Sequence, residues 1–245
     1  MTNFPKPRYL AAGESALVVE FGDTIDPKIH GRVLALDAAI GQANWEGVTE
    51  TVPTYRSLMI HFDPRRWAPE ALADALAGLD YAAAPPRTRR HRWHIPACYD
   101  PPHSEDIAEV AALLGLPRAR IIDLHEGARY RVYMFGFAPG FTFLGGLARE
   151  LTIPRRAAPR GPLPPGSLLI AGGQALIAGC AMPTGWYAIG RTPVKMFDPR
   201  REQVLLAGVG DELCFERIDL AAFDAMSLAA DAGEFCAGHE YLDET

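Results

Sequence analysis

The stretch Tyr130–Leu147, YRVYMFGFAPGFTFLGGL, decides how this chain is read. Gly136, Gly140, Gly145 and Gly146 interrupt an aromatic, apolar run at short intervals. Glycine lets a backbone turn sharply or a ligand approach closely, and Pro139-Gly140 is a tight-turn dipeptide. The stretch therefore reads as short strands joined by tight turns. Phe135, Phe137, Phe141 and Phe143 alternate along it. Such alternation fits either the wall of an apolar pocket or a buried hairpin in a barrel core. The same texture continues downstream. Val132–Phe137, Ser167–Ala171, Trp186–Ile189 and Gln203–Ala207 are strand candidates, closely punctuated by RGPLPPG, AGG, GRTP and GVGD. Many short strands with such turns indicate a barrel or a sandwich.

Upstream lie two short helices. Asp106–Leu114 places Ile107, Val110, Ala111 and Leu114 inward, with Ser104 as its expected N-cap. Pro117–His125 begins on a proline and stops before Gly127. The first hundred residues follow another rhythm. Ala16–Phe21 and Val48–Pro53 read as strands, and Ser57–Asp63 alternates with Leu58, Ile60 and Phe62 on one face. Asp26–Gly41 repeats Ile29, Val33, Leu36 and Ile40 at helical spacing, with Pro27 in its first turn. Pro69–Leu79 carries Leu72, Leu76 and Leu79 on one side, and Thr88–Ile95 is a candidate fourth strand. The order is βαββαβ, the ferredoxin-like pattern. The expected fold class is α+β: a small α/β domain over residues 1–86, a β-rich domain over 87–220, and an acidic, Ala-rich helix or tail over 221–245. Tyr81–Thr88, with Pro85-Pro86, reads as a linker or as the loop before the last strand.

Composition bounds the function. The chain has 245 residues, 49% hydrophobic and 22% charged, an ordinary globular balance that excludes bulk disorder. No run is long enough for a signal peptide or a membrane span. Cys98, Cys180, Cys214 and Cys236 are scattered, so free thiols in a reduced cytoplasm are expected. The net charge of −6 argues against a dedicated nucleic-acid binder. That charge is unevenly spread. Residues 127–195 carry a net +7 and residues 196–245 a net −9, which suggests a basic segment placed to receive a small anion.

Several motifs are missing: a phosphate-binding G-x-x-x-x-G-K-[ST] loop, G-x-G-x-x-G, the G-x-S-x-G elbow and H-E-x-x-H. His91, His94 and Cys98 suggest a metal string, but residues three apart on a strand face opposite sides, so no metal site is expected. Arg87, Arg89, Arg90 and Arg92 beside them are read as charges protecting an edge strand, with anion binding as the alternative. In IPRRAAPRGPLPPG, Arg155 and Arg160 lie on a proline-stiffened loop and form a candidate fork for carboxylate or phosphate. Gln174 can both donate and accept. Trp186 offers a flat apolar face with one donor, and Arg191 adds a positive charge. His125, at a helix end, is a candidate titrating group, or simply a histidine favoured by the helix dipole.

HEGARYRVYMFGFAPGFTFLGGL, then IPRRAAPRGPLPPGSLLIAGGQ, then PTGWYAIGRTP together resemble the family of allophanate hydrolase subunit 1, also described as the 5-oxoprolinase B-subunit family and as the sporulation-kinase inhibitor family. The same blocks are similar to subdomains C and D of the carboxyltransferase domain of urea carboxylase. GESALVVEFG and TVPTYRSLMIHFDP extend the likeness to nearly the whole chain. The resemblance implies a small α/β domain followed by a cyclophilin-like β-barrel. It implies a second carboxyltransferase-type subunit similar to subdomains A and B, a further subunit in some systems, and a site in or near the shared groove. It implies ATP used by the complex, and biotin in the urea-carboxylase setting. Matched by motif, the implied site residues are His125, Arg155, Arg160 and Gln174 in catalytic roles, with Phe137, Pro139, Gly140, Phe141, Trp186 and Arg191 binding substrate. The chain departs from the family pattern at Gln-Thr-Gly-Ile-Tyr-Pro, where it reads Gln174-Ala175-Leu176-Ile177-Ala178-Gly179, and at Pro-Gly-Gly-Trp, where it reads Pro183-Thr184-Gly185-Trp186. Two roles follow. One is a subunit of an ATP-dependent amide-processing complex acting on a small anionic amide. The other is a regulator that blocks a sensor histidine kinase through a cyclophilin-like groove.

Overall fold

A computed structural model of the chain describes residues 3–81, 90–234 and 236–242. They belong to two compact units, residues 1–89 and 90–245. The expected boundary at 86/87, the Pro85-Pro86 linker, Arg87 and Arg89 lie outside the described residues.

In the first unit, β1 (Asn3–Ala11), β2 (Ala16–Gly22), β3 (Val48–Pro53) and β4 (Ser57–Phe62) form an antiparallel sheet in the order β1-β2-β4-β3. Helix α1 (Pro27–Ala43) follows β2 and helix α2 (Pro69–Ala77) follows β4. Asp26 caps α1: its carboxylate accepts from the Lys28 and Ile29 backbone N–H groups at 2.6 and 3.4 Å, satisfying donors that a helix start leaves without partners. Val33 and Leu36 of α1 and Leu72 of α2 pack with Phe21, Leu58 and Ile60.

The ferredoxin-like order needs correction. The observed order is ββαββα, and the fourth strand of this sheet is the N-terminal β1, not the segment near residue 90. Pro5 and Pro7 hide β1 from a strand reading, yet both fall where the register with β2 is irregular, between Asn3 and Arg8, and prolines are tolerated on an edge strand or at a bulge. The segment expected to complete this sheet instead becomes β5 (His91–Cys98) of the second unit. Its Trp93, Ile95 and Ala97 side chains enter that unit's core.

The second unit continues with α3 (Ile107–Leu114), α4 (Arg118–Glu126), β6 (Tyr130–Phe135), β7 (Thr142–Gly145) and β8 (Arg160–Leu163). Then come β9 (Ser167–Ala171), β10 (Gln174–Ile177), β11 (Met182–Thr184), β12 (Tyr187–Arg191), β13 (Glu212–Ile218), α5 (Leu220–Ala232) and β14 (Gly238–Tyr241). Seven strands run β12-β9-β10-β7-β6-β13-β5, and an Arg191↔Cys98 pairing returns β5 to β12, which closes a barrel. This is consistent with the cyclophilin-like barrel implied by the resemblance. β5 and β13 pair in parallel over the full length of β13. β14 pairs with the first half of β5, His91–His94, on the edge away from β13, so part of the segment expected as a helix or tail is a strand. β8 and β11 form a separate two-stranded ribbon.

Alternation fills the barrel. Ile95, Val132, Leu144, Ile170, Ile177 and Ile189 point inward with Tyr130 and Leu213. β9 is buried along its whole length, because its outward residue Leu169 packs with Leu163, Leu176 and Trp186 in a second cluster. A strand covered on both faces reads as an unbroken apolar run, as SLLIA does. Three local expectations change. Gln203–Ala207 is not a strand and makes only a Phe197↔Leu205 bridge. β6 ends at Phe135, because Phe137 takes a left-handed conformation at φ +70°. Asp106, not Ser104, is the cap residue of α3.

Candidate functional site

A cavity of about 510 Å³ lies against the outer face of the barrel beneath the β8–β11 ribbon. Its floor follows from strand register. Phe143 of β7 is opposite Leu176 of β10, and Leu176 is opposite Leu169 of β9, so one apolar row crosses three strands. Phe141 and Trp186 rise beside that row, and Arg155, Gln174 and Thr184 supply polar groups. Phe143 meets Trp186 edge to face at 6.4 Å, and Phe141 meets Phe137 in the same way at 5.4 Å. Such geometry matches the negative faces and positive edges of the rings.

The turn from Gly136 to Phe141 forms one lip. Phe137 is 76% exposed at the cavity mouth. Its positive φ costs a non-glycine residue about 1 kcal/mol or more. The turn is held by Ala138 N–H donating to Gly136 O at 2.9 Å and Phe141 N–H donating to Ala138 O at 3.1 Å. It rests directly on Gly179, where a Cβ would come within 2.1 Å of the Pro139 carbonyl oxygen. Only glycine admits that approach. Pro139 is exposed and Gly140 is buried in this turn at φ +76°. They shape the lip rather than line the cavity.

The arginines do not form the expected fork. Arg160 donates to Asp106 at 2.5 Å and also pairs with Glu105. Arg156 donates to Asp106 at 3.0 Å and to Glu109 at 2.5 and 2.7 Å, with its guanidinium carbon 4.3 Å from the centre of the Tyr187 ring. Asp106 is 4% exposed and also accepts the Ala188 N–H at 2.7 Å. Two arginines of the basic segment therefore neutralise Glu105, Asp106 and Glu109, which lie about fifty residues earlier in the chain. Arg155, next to the clamped Arg156, faces the cavity with no carboxylate partner among the described residues.

Two further candidates lie elsewhere. Arg191 borders a separate, smaller cavity. His125 is buried in the barrel core, stacked on Phe215 at 4.7 Å with its Nδ1 2.8 Å from the Tyr99 hydroxyl. Burial holds its pKa down at about 3, so it is a neutral packing residue remote from the cavity. The charged strand also finds other uses. Arg92 pairs across β5 with Glu212 of β13 and Glu240 of β14, its register partners. Those residues are ladder partners, and β5 is not an edge strand. His94 contacts Glu216 at 2.7 Å, while His91 packs against Trp93 and Tyr241.

Sequence reasoning missed Leu163, Leu169, Leu176, Met182 and Thr184. The signal that points to them is the unbroken apolar run of β9, which requires an outer cover. Leu176 and Ala178 stand where the family pattern has glycine and tyrosine, and both line the cavity. The arrangement suits a small monoanion with an apolar body: one guanidinium, one amide and aromatic walls. Among the described lining residues none is Asp, Glu, His or Lys, so neither a carboxylate nor an imidazole stands ready there as a base.

The comparisons agree with this architecture. The model of the carboxyltransferase domain, subdomains C and D, matches residues 7–207. The B-subunit of 5-oxoprolinase from Bacillus subtilis is 34% identical over 217 residues, covering 84% of this chain and 90% of that protein. The crystal structure of the protein TTHA0988 superposes with a TM-score of 0.73 at 35% identity over 83% of this chain, which spans 40% of that one. The Kluyveromyces lactis urea carboxylase superposes with a TM-score of 0.80 over 98% of this chain and 25% of its own, at 17% identity, a likeness of fold. By its matched family model and its identity to a 5-oxoprolinase B-subunit over most of both chains, this protein belongs to the carboxyltransferase subdomain C and D family.

Proposed function

We propose that this chain is the carboxylate-binding subunit of a 5-oxoprolinase-type complex, an ATP-dependent amide hydrolase. It works with a second carboxyltransferase-type subunit, similar to subdomains A and B, and with a third subunit. The observation that carries this reading is Arg155, an arginine beside an aromatic cavity with no carboxylate partner among the described residues, while the nearby Arg156 and Arg160 are both engaged by carboxylates. A small cyclic amide acid places its carboxylate on Arg155 and its amide on Gln174, with its ring between Phe141 and Trp186. Donors fixed before the reaction stabilise negative charge as it develops. The cavity offers a single guanidinium and no phosphate loop, which does not fit a triphosphate. ATP and proton transfer therefore belong to the partner subunits. A role for biotin belongs to the urea-carboxylase reading alone.

The test is 5-oxoproline-dependent ATP hydrolysis by the complex co-expressed with its partner subunits. Arg155→Ala is expected to lower kcat/KM by about 30- to 100-fold, the worth of a lost charge-assisted pair of roughly 2–3 kcal/mol. An Arg155→Ala complex as active as the wild type overturns the reading. A complex with no such activity, from a chain that retains a sensor histidine kinase in pull-downs, favours the regulatory role.

A further inference from the structure

A second cavity, of about 270 Å³, shares only Ala178 with the first. It lies between the Thr192–Phe197 stretch and α5, with Phe197, Met196 and Phe223 as apolar walls. Its charges are unequal. Lys195 and Asp231 neutralise each other at 2.6 Å. Arg191 spends its Nε on the Pro165 carbonyl oxygen at 2.9 Å and lies 5.5 Å from the centre of the Phe223 ring. No carboxylate partners its terminal amino groups among the described residues. Burial lowers its pKa, as expected for a cation drawn from water without a counter-ion. The lining therefore carries one uncompensated positive charge beside apolar walls.

A guanidinium grips a carboxylate through two parallel hydrogen bonds, and a net single charge calls for a monoanion. A zwitterion leaves the excess charge unbalanced. The cavity is smaller than the roughly 300–1,000 Å³ typical of drug-sized ligands, so the ligand is short. We propose that this cavity binds a short-chain monocarboxylate, with its carboxylate on Arg191 and its alkyl tail against Phe223 and Phe197, independently of the Arg155 site.

The probe is butyrate, titrated into the full chain carrying Arg155→Gln, so that the first cavity does not contribute, and followed by saturation-transfer NMR. In that background butyrate binding is expected to persist, and to weaken at least tenfold when Arg191→Gln is added. Ser227→Phe fills the cavity from α5 while leaving Arg191 in place, and in the same background it is expected to abolish binding. It decides the matter if Arg191→Gln fails to fold. Inorganic phosphate at equal concentration is expected not to displace butyrate, because it gains nothing from the apolar walls. No binding by the Arg155→Gln chain, binding kept when Ser227→Phe or a folded Arg191→Gln is added to it, or displacement by phosphate would each overturn the proposal. The readout needs neither partner subunit nor ATP, so its failure is distinct from failure of the 5-oxoprolinase reading.

Discussion

At the scale of single residues, environment decides role. His125 and Arg155 carry groups able to do chemistry, yet only Arg155 meets a cavity. His125 ends a helix whose inner face also buries Ile121 and Ile122, and its ring is sealed beneath Tyr130 and Phe215. That burial has a pH signature. The unfolded chain's imidazole binds a proton below about 6.5, whereas the folded one stays neutral down to about 3. Stability from this group is full above pH 6.5 and is lost as pH falls through that window, with a slope approaching 1.4 kcal/mol per pH unit, roughly one bound proton's worth. Urea midpoints measured between pH 7 and 4 are expected to fall, and His125→Phe is expected to flatten the dependence.

At the scale of elements, Asp106 ties three pieces together. From the start of α3 it accepts hydrogen bonds from Arg156 and Arg160, both in the loop and strand that follow Arg155, and from the backbone of β12. Removing it leaves two partly buried guanidiniums and a buried N–H short of an acceptor. Asp106→Ala is therefore expected to destabilise the fold by about 3–5 kcal/mol, the range for a broken buried ion pair, and denaturant unfolding measures it. Glu109→Gln, at a more exposed carboxylate, is expected to cost about 1 kcal/mol or less. The sequence shows the basic excess of residues 127–195. That Arg156 and Arg160 within it are spent on internal pairing depends on contacts between residues about fifty apart.

At the scale of the whole molecule, each unit has its own apolar core. Residues 90–245 close their barrel with strands of that unit alone. Produced without the preceding residues, this segment is expected to melt cooperatively with a β-rich circular dichroism spectrum. A non-cooperative melt would show that the barrel needs the first unit. Within the barrel, β5 is held by the parallel β13, more than a hundred residues later in the chain.

The sequence by itself determined the local elements whose patterning repeats over several residues: α1, α2, β2, β4 and the apolar run of β9. Alternation, helical spacing and turn residues act over a few positions, so they are legible without a fold. It also displayed the motifs that place the chain in its family. Only the tertiary structure decided which sheet β1 and β5 join, because strand pairing depends on partners distant in the chain and not on a strand's own pattern. It likewise decided which arginine meets a cavity. Arg155, Arg156 and Arg160 have the same chemistry, and what separates them is whether folding brings a carboxylate within hydrogen-bond reach.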